Sequence, residues 1–245
     1  MTRVRAVWLP AVAVTMCMTM SVAADPFSVN RTGLELGLGW TQVSVNNGAA
    51  ITTDAGLYNV TVYGTDAGDR ITDGVYQVFC IDLWNSVNEG VDLYSDVPLD
   101  AAPDHYLAGM GTVRAGRMAY LMDNYWNDTY LGSNVVSRNS NAAALQFAIW
   151  EIVAESETGE YDLSNGDFAI IDPSRPSYWA RTIAQSWLTE MGDKTSSFAN
   201  YIALTSEDAG TNAQDYVVRV PVPGAVLLGV LGLVYAGMKL RRTCD

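Results

Sequence analysis

Apolar and polar positions alternate over much of the first half of the chain, as they do in β-strands. Residues 34–46 follow this pattern with glycines that indicate a bulge, and residues 58–63 and 75–83 continue it. A turn rich in glycine and aspartate, residues 64–69, separates the last two segments. The pattern therefore predicts three strands of a mainly antiparallel framework.

In the second half, apolar positions recur every three or four residues, which is typical of helices. Residues 112–126 show this spacing, and residues 141–155 show it more strongly. Ser174 is a suitable N-cap for a third helix over residues 176–191, whose first residue is proline. Residues 196–205 are predicted to form a further short helix.

Two shorter features complete the predicted order of strands, helices, hairpin, helices and strand. Asn165 and Gly166 lie between short apolar arms and predict a tight hairpin over residues 161–170, and residues 216–220 predict a closing strand. We therefore predict an α+β fold, with a mainly antiparallel β framework and an inserted helical subdomain at about residues 105–205. The pattern at the end of the chain adds one C-terminal transmembrane helix.

That helix is predicted from an uncharged apolar run. Residues 222–238 carry no charge, and the basic residues Lys239, Arg241 and Arg242 follow them. The run reaches the lower end of the ~17–25 residues that span a bilayer, and the basic cluster would remain in the cytoplasm by the positive-inside rule. A buried core helix is the alternative, but the terminal position and the flanking charges favour a transmembrane helix over residues 222–240.

A second apolar segment opens the chain. Two arginines precede an apolar run over residues 6–20, and small residues follow up to Ala24. These are the three parts of a secretory signal peptide, so we predict that residues 1–24 are removed by cleavage after Ala24. An uncleaved membrane anchor would need a longer run. The predicted exported domain is then residues 25–220, followed by a tail over residues 221–245.

The exported domain is strongly acidic. The whole chain has a formal net charge of −13, and both terminal segments are basic, so the region between them is more acidic still. Such a surface repels nucleic acid and anionic lipid. We therefore expect no nucleic-acid partner.

Cysteine is scarce in this domain. Of the three cysteines, Cys17 lies in the signal peptide and Cys244 in the tail, which leaves Cys80 alone in between. Cys80 therefore has no partner for an internal disulfide, although an exported protein meets an oxidising compartment. A lone thiol is a liability there unless it is buried or chemically occupied.

An amide within an apolar helical stripe is the second unusual feature. Helical spacing places Gln146 beside Ala142, Ile149 and Trp150, where an amide is costly to bury without a hydrogen-bond partner. A thiol and a carboxamide can condense with loss of ammonia to a thioester, whose carbonyl is open to an amine or hydroxyl because a thiolate leaves readily. In the other interpretation, Cys80 packs as a small hydrophobe and Gln146 bonds to a backbone carbonyl.

The sequence around these two residues resembles the thioester domains of bacterial surface adhesins. In that family a cysteine that follows an aromatic residue is joined to a glutamine in a helix, and residues 79–83 (FCIDL) and 145–150 (LQFAIW) are similar to both motifs, with Leu145 in place of the frequent threonine. The resemblance covers most of residues 57–220. It implies that Cys80 is the thioester sulfur, that Gln146 is the acyl donor, and that the domain bonds covalently to an amine- or hydroxyl-bearing surface or matrix partner.

The tail resembles the PEP-CTERM sorting signal, which consists of a Pro-x-Pro motif, an apolar span and a basic end. Here Pro221 and Pro223 flank Val222, which replaces the usual glutamate, and residues 243–245 also depart from the pattern. The resemblance implies recognition by an exosortase-type membrane protease. It also implies a Gram-negative bacterium, with the protein at least transiently anchored in the inner membrane and destined for the cell envelope or extracellular matrix.

Three functions remain open at this stage. The first is a module that reacts once through a thioester, and the second is a structural envelope or biofilm-matrix protein in which Cys80 and Gln146 only pack. The third, a thiol enzyme that uses Cys80 with His105, the only histidine, is disfavoured because Cys80 is predicted in mid-strand. Asp82 and Glu151 are near the pair in sequence, but solvated-face roles are expected for both. We expect no enzymatic turnover, no cofactor and no metal, since the domain has too few cysteines and histidines for a zinc site and no phosphate-binding glycine motif.

Overall fold

The computed structural model describes most of the predicted exported domain, namely residues 25–83, 90–103, 109–129, 134–155, 160–207 and 213–220. The strands in these ranges are β1 (Phe27–Val45), β2 (Ile51–Tyr63), β3 (Gly74–Cys80), β4 (Val91–Pro98), β5 (Phe168–Ile170), β6 (Tyr201–Ser206) and β7 (Tyr216–Arg219). The helices are α1 (Gly111–Tyr125), α2 (Val135–Ala154) and α3 (Arg175–Met191), with short 3-10 turns at Leu99–Ala101 and Asn127–Thr129.

The described strands form one antiparallel sheet that closes on itself. The order is β2-β3-β7-β6-β4-β1-β5, and β1 also pairs with β2, so six strands make a closed ring. The first residues of β1 complete this ring, because residues 28–30 pair with β2 on one side and with β4 on the other. The far end of β1, residues 43–45, pairs with β5.

The long hairpin of β1 and β2 bends because its register shifts at three places, each within residues 31–41 of β1. Gly37 and Gly56 face each other in this hairpin with φ angles of 156° and 157°. A Cβ atom on either glycine would collide with the opposite backbone, at Ala55 O or Leu36 O. Both positions therefore require glycine for space as well as for conformation.

Helix α2 is the central element of the core. Its N-cap Asn134 accepts a hydrogen bond from the backbone N–H of Ser137 at 3.0 Å. Almost every residue from Ser140 to Ala154 is buried, since α2 lies between the sheet, mainly β1 and β2, and helices α1 and α3. An all-round apolar helix is what such a position demands.

The predicted fold class is wrong in two respects, and the observed fold is a mostly antiparallel sheet with three helices in the described ranges. First, the helices do not form an inserted subdomain: they share one continuous hydrophobic core with the sheet, and β5 and β6 fall within the region predicted as helical. Second, no helix in the described part of the chain is long and apolar enough to cross a membrane. The predicted transmembrane segment, residues 222–240, lies outside the described residues.

Individual elements differ from the prediction where tertiary pairing overrides local pattern. The second half of the helix predicted over residues 196–205 is instead part of β6, whose residues Tyr201–Leu204 are all buried between β4 and β7. A short, fully buried apolar run does not distinguish a strand from a helix by periodicity. In the predicted hairpin over residues 161–170, only Phe168–Ile170 is a strand, and it pairs with β1.

Candidate functional site

Cys80 is the last residue of β3, at the point where the strand leaves the sheet. Its Cα partner across the sheet is Tyr216, the first residue of β7, and the next backbone N–H, that of Ile81, donates to Asp215 O at 2.9 Å. Cys80 has no exposed surface. Sheet pairing therefore fixes the position of this residue before any side chain is considered.

Gln146 meets Cys80 from the facing helix α2. The Cys80 backbone N–H donates to Gln146 Oε1 at 3.0 Å, and Gln146 Nε2 donates to Cys80 O at 2.7 Å. The two residues are 66 positions apart in sequence, and both are fully buried. The structure thus brings together the two residues predicted to form the thioester, with both polar atoms of the amide bonded to the cysteine backbone.

The thiol of Cys80 is held neutral in this arrangement. Burial raises its pKa, and the charge of Asp82 raises it further. A hydrogen bond from the Asp82 backbone and the presence of the Trp150 indole N–H oppose these effects. The Sγ–H donates to Asp82 O at 2.8 Å. A free thiolate is therefore disfavoured, which agrees poorly with the alternative of a thiol enzyme.

Asp215 is a second acidic group near the thiol, and sequence analysis did not identify it. Its Oδ1 accepts the backbone N–H of Ser206 at 2.9 Å. Burial raises the pKa of its carboxyl to about 7, and the charge of Asp82 adds to this effect. Its negative charge contributes to the raised pKa of Cys80. Asp215 becomes a neighbour of the thiol only through the pairing of β3 with β7, for which the local sequence carries no signal.

Aromatic side chains surround the pair. Tyr58, Tyr94 and Tyr216 are buried, and burial raises the pKa of each phenol. Tyr94 donates its hydroxyl hydrogen to Gln214 O at 2.8 Å, and Phe79 packs edge-on against Trp126 with ring centroids 5.3 Å apart. This environment excludes water from the sulfur and from the carboxamide.

Asp82 and Glu151 do not have the solvated positions expected for them. Asp82 is only 8% exposed and lies two residues after Cys80, whereas Glu151 is fully buried on another side of α2. Glu151 Oε1 accepts the backbone N–H of Asp162 at 2.7 Å. Burial, followed by the charge of Glu155, raises the pKa of Glu151 to about 8. The charged groups that act on Glu151 are Glu155, Asp162 and Asp167, so the structure does not place Glu151 at the thiol.

The other predicted site residues lie outside the described residues. These are His105, the cleavage residue Ala24 and the sorting residues Pro221, Pro223, Lys239, Arg241 and Arg242. Within the described ranges no group of three or more histidine, cysteine or acidic side chains is arranged to hold a metal ion.

The solved structures that are similar to this chain include three domains of bacterial surface proteins. No protein-family model matches the chain, and no curated protein matches it. The chain is similar to the N-terminal thioester domain of a surface protein from Clostridium perfringens, at 11% identity and a TM-score of 0.38, with 79% of this chain and 97% of that one covered.

Two streptococcal structures show slightly higher identity and TM-scores. The N-terminal domain of the pilus tip adhesin Cpa from Streptococcus pyogenes has 16% identity and a TM-score of 0.41, with 79% of this chain and 99% of that one covered. The N-terminal thioester domain of a protein F2 like fibronectin-binding protein from Streptococcus pneumoniae has 14% identity and a TM-score of 0.41, with 82% and 99% covered. These scores describe a distant similarity, so the contacts of Cys80 and Gln146 carry the functional inference.

Proposed function

We propose that this protein forms an internal thioester between Cys80 and Gln146 and uses it once, to bond covalently to an amine- or hydroxyl-bearing partner at a cell surface or in extracellular matrix. One observation carries the proposal: the Gln146 carboxamide is bonded at both of its polar atoms to the backbone of Cys80, at 3.0 and 2.7 Å, inside a fully buried site. This contact holds the acyl carbon of Gln146 beside the residue that carries the thiol.

The hydrogen bonds are arranged to assist condensation. In the forming step the Cys80 sulfur bonds to the Gln146 acyl carbon, the carbon–nitrogen bond breaks, and the nitrogen leaves as ammonia with the thiol proton. Negative charge develops on Gln146 Oε1, where the Cys80 backbone N–H already donates. A fixed donor at such an oxygen stabilises the transition state without reorganisation.

The closed core then preserves the product. Both partners are fully buried, and a thioester in an apolar, water-poor site is protected from hydrolysis. An amine that reaches the acyl carbon forms an amide there; the carbon–sulfur bond breaks, and a proton from the amine passes to the Cys80 sulfur to give a thiol. Each molecule reacts once, so the proposed protein is a covalent attachment module and not an enzyme.

The proposed location follows from the ends of the chain. We propose that residues 1–24 direct export with cleavage after Ala24, and that the Pro221–Pro223 motif directs sorting by an exosortase-type protease. The acidic exported domain, from a chain of net charge −13, suits a partner outside the cell that is neither nucleic acid nor anionic lipid. The cell envelope or matrix of a Gram-negative bacterium is the corresponding destination.

A structural role is the second candidate, and one observation favours it. The two hydrogen bonds between Gln146 and Cys80 give both polar atoms of the amide a partner, and the thiol already has an acceptor in Asp82 O at 2.8 Å. A buried polar cluster satisfied in this way also stabilises a core without any reaction. In that case Cys80 remains a free thiol in the purified protein.

The intact mass of the purified protein separates the two candidates. We expect a mass one ammonia below that of the sequence, a single methylamine adduct after incubation with methylamine, and neither change in the Cys80→Ala variant. Wild-type protein with an unmodified mass, and with a thiol that titrates fully on unfolding, would establish the structural role instead.

A further inference from the structure

Trp150 combines a buried position with an unsatisfied polar group. It is the largest fully buried side chain of the described core, with 1% exposure. Its indole Nε1–H has no hydrogen-bond acceptor of ordinary geometry among the described residues. Buried donors are almost always paired, because leaving one unpaired is costly. A phenylalanine would fill an apolar position without this cost, so the N–H calls for an explanation.

The indole lies on the same face of α2 as the reacting amide. Trp150 follows Gln146 by four residues, which is one helical turn. Phe147 packs against the indole with ring centroids 6.4 Å apart, and Phe168 of β5 packs on it edge-on at 5.8 Å. These contacts orient the ring, so its N–H direction is set by the core.

The sulfur of Cys80 is the candidate acceptor for this N–H, because Trp150 lies one helical turn from Gln146, which bonds to the Cys80 backbone. The indole N–H opposes the burial that raises the pKa of the Cys80 thiol. In the neutral thiol state, Sγ–H donates to Asp82 O and the sulfur is a weak acceptor. The sulfur becomes a strong acceptor when it carries negative charge, and the indole N–H is then the buried donor beside it.

We propose that the Trp150 indole N–H is a hydrogen-bond donor to the reacting Cys80 sulfur, which stabilises that atom as it gains negative charge while the thioester forms and again when an amine expels it. This inference rests on the proposed function. The indole proton stays on Trp150 throughout: in formation the thiol proton leaves with ammonia, and in aminolysis an amine proton passes to the sulfur. The backbone N–H of Cys80 serves the acyl oxygen, and Trp150 serves the sulfur.

Trp150→Phe tests the donor because it removes the N–H and keeps an aromatic ring. Trp187→Phe is the matched control, since Trp187 is also buried and stacks on Tyr125 at 4.4 Å in another part of the core. For Trp150→Phe we expect methylamine to react roughly ten- to a hundredfold more slowly than with wild type, as loss of a hydrogen bond to a charged atom predicts. Trp187→Phe should react at the wild-type rate.

The indole signal provides a test that does not depend on a variant's activity. In ¹⁵N-labelled protein, the Trp150 Nε1–H resonance should shift when methylamine converts the thioester to a thiol, and the Trp187 resonance should stay in place. A Trp150→Phe protein that reacts as fast as wild type, or a Trp150 resonance that does not respond to cleavage, would overturn the inference while leaving the thioester intact. Absence of any methylamine adduct in wild type would instead remove the proposed function itself.

Discussion

Gln146 and Gln185 make the same pair of hydrogen bonds to the backbone, in two different places. Gln146 accepts from Cys80 N and donates to Cys80 O, whereas Gln185 accepts from Leu163 N at 3.0 Å and donates to Tyr161 O at 2.8 Å. Both amides tie a helix to a segment outside it. Only Gln146 does so at a cysteine, in a fully buried site. Gln185 therefore serves as a control that shows how much such a contact contributes to stability without any reaction.

The first prediction uses that control in the Cys80→Ala background, where no thioester contributes. Gln146→Ala leaves the buried N–H and C=O of residue 80 unpaired and should lower the free energy of unfolding by roughly 3–5 kcal/mol. In Gln185→Ala, water can replace the lost hydrogen bonds more readily than at the Gln146 site. This variant should therefore lower the free energy of unfolding by only about 1–2 kcal/mol. Urea unfolding measures both values. Equal losses in the two variants would contradict the burial that distinguishes the sites.

A thioester should also act as an internal crosslink. It would close a loop between residues 66 positions apart, in a region, residues 25–220, whose single cysteine allows no internal disulfide. By analogy with a disulfide of similar loop length, cleavage with methylamine should lower the free energy of unfolding by about 4 kcal/mol. The measurement is urea unfolding before and after methylamine. Methylamine-treated Cys80→Ala protein, which has no bond to cleave, should show no change.

The raised pKa of Glu151 predicts that the free energy of unfolding falls as pH rises. The folded protein retains the Glu151 proton up to about pH 8, whereas the unfolded chain releases it near the ordinary value of 4.5. Unfolding between these values therefore releases a proton, so stability falls as pH rises through this window and levels off above it. Asp215, with a folded pKa of about 7, acts in the same direction.

The Glu151→Gln variant tests the predicted direction of this pH dependence. The amide keeps an oxygen to accept the Asp162 N–H and does not ionise beside Glu155, Asp162 and Asp167. At the alkaline end of the window, the free energy of unfolding of the variant should exceed that of wild type by on the order of 1–3 kcal/mol. At the acid end the two values should differ little. Glu35→Gln, at an exposed carboxylate of β1, is the control. A wild-type protein whose stability rises with pH across the same window would contradict the assignment.

The close approach of the two strands in the β1–β2 hairpin predicts that position 37 must be glycine. Gly37→Ala places a Cβ against the backbone of Ala55 at a φ of 156°, and should lower the free energy of unfolding by roughly 2–4 kcal/mol. Gly68→Ala, where a Cβ meets open space, is the matched control and should have an effect within about 0.5 kcal/mol. Thermal unfolding of the two variants measures the difference. Equal stability of both would show that the hairpin relaxes around the added methyl group.

The spacing of apolar residues correctly predicted the strands and the helix in which that spacing is regular. Residues 58–63 and 75–83 alternate and lie mostly in β2 and β3, and the helical spacing of residues 141–155 lies mostly in α2. The pattern failed where pairing partners decide the conformation: β6 is buried on both faces, and β4 was not predicted at all. Closure of the ring depends on β1 pairing with both β2 and β4, which no local window contains.

The same division applies to the site. Residue types and the family resemblance singled out Cys80 and Gln146, and the structure brings them into contact. The amide geometry, the proximity of Asp215 and the unsatisfied indole of Trp150 depend on how β3, β7 and α2 meet. They are long-range properties, and a sequence without its fold carries no signal for them.

The position of Gln146 has a mechanical consequence. A partner bonded to this residue would pull on α2, and not on a chain terminus. Because α2 lies between the sheet and α1 and α3, the load would enter the fold at its most enclosed helix. Force on the partner would then unfold the domain only by opening the whole core, and the amide bond to the partner would remain intact even then.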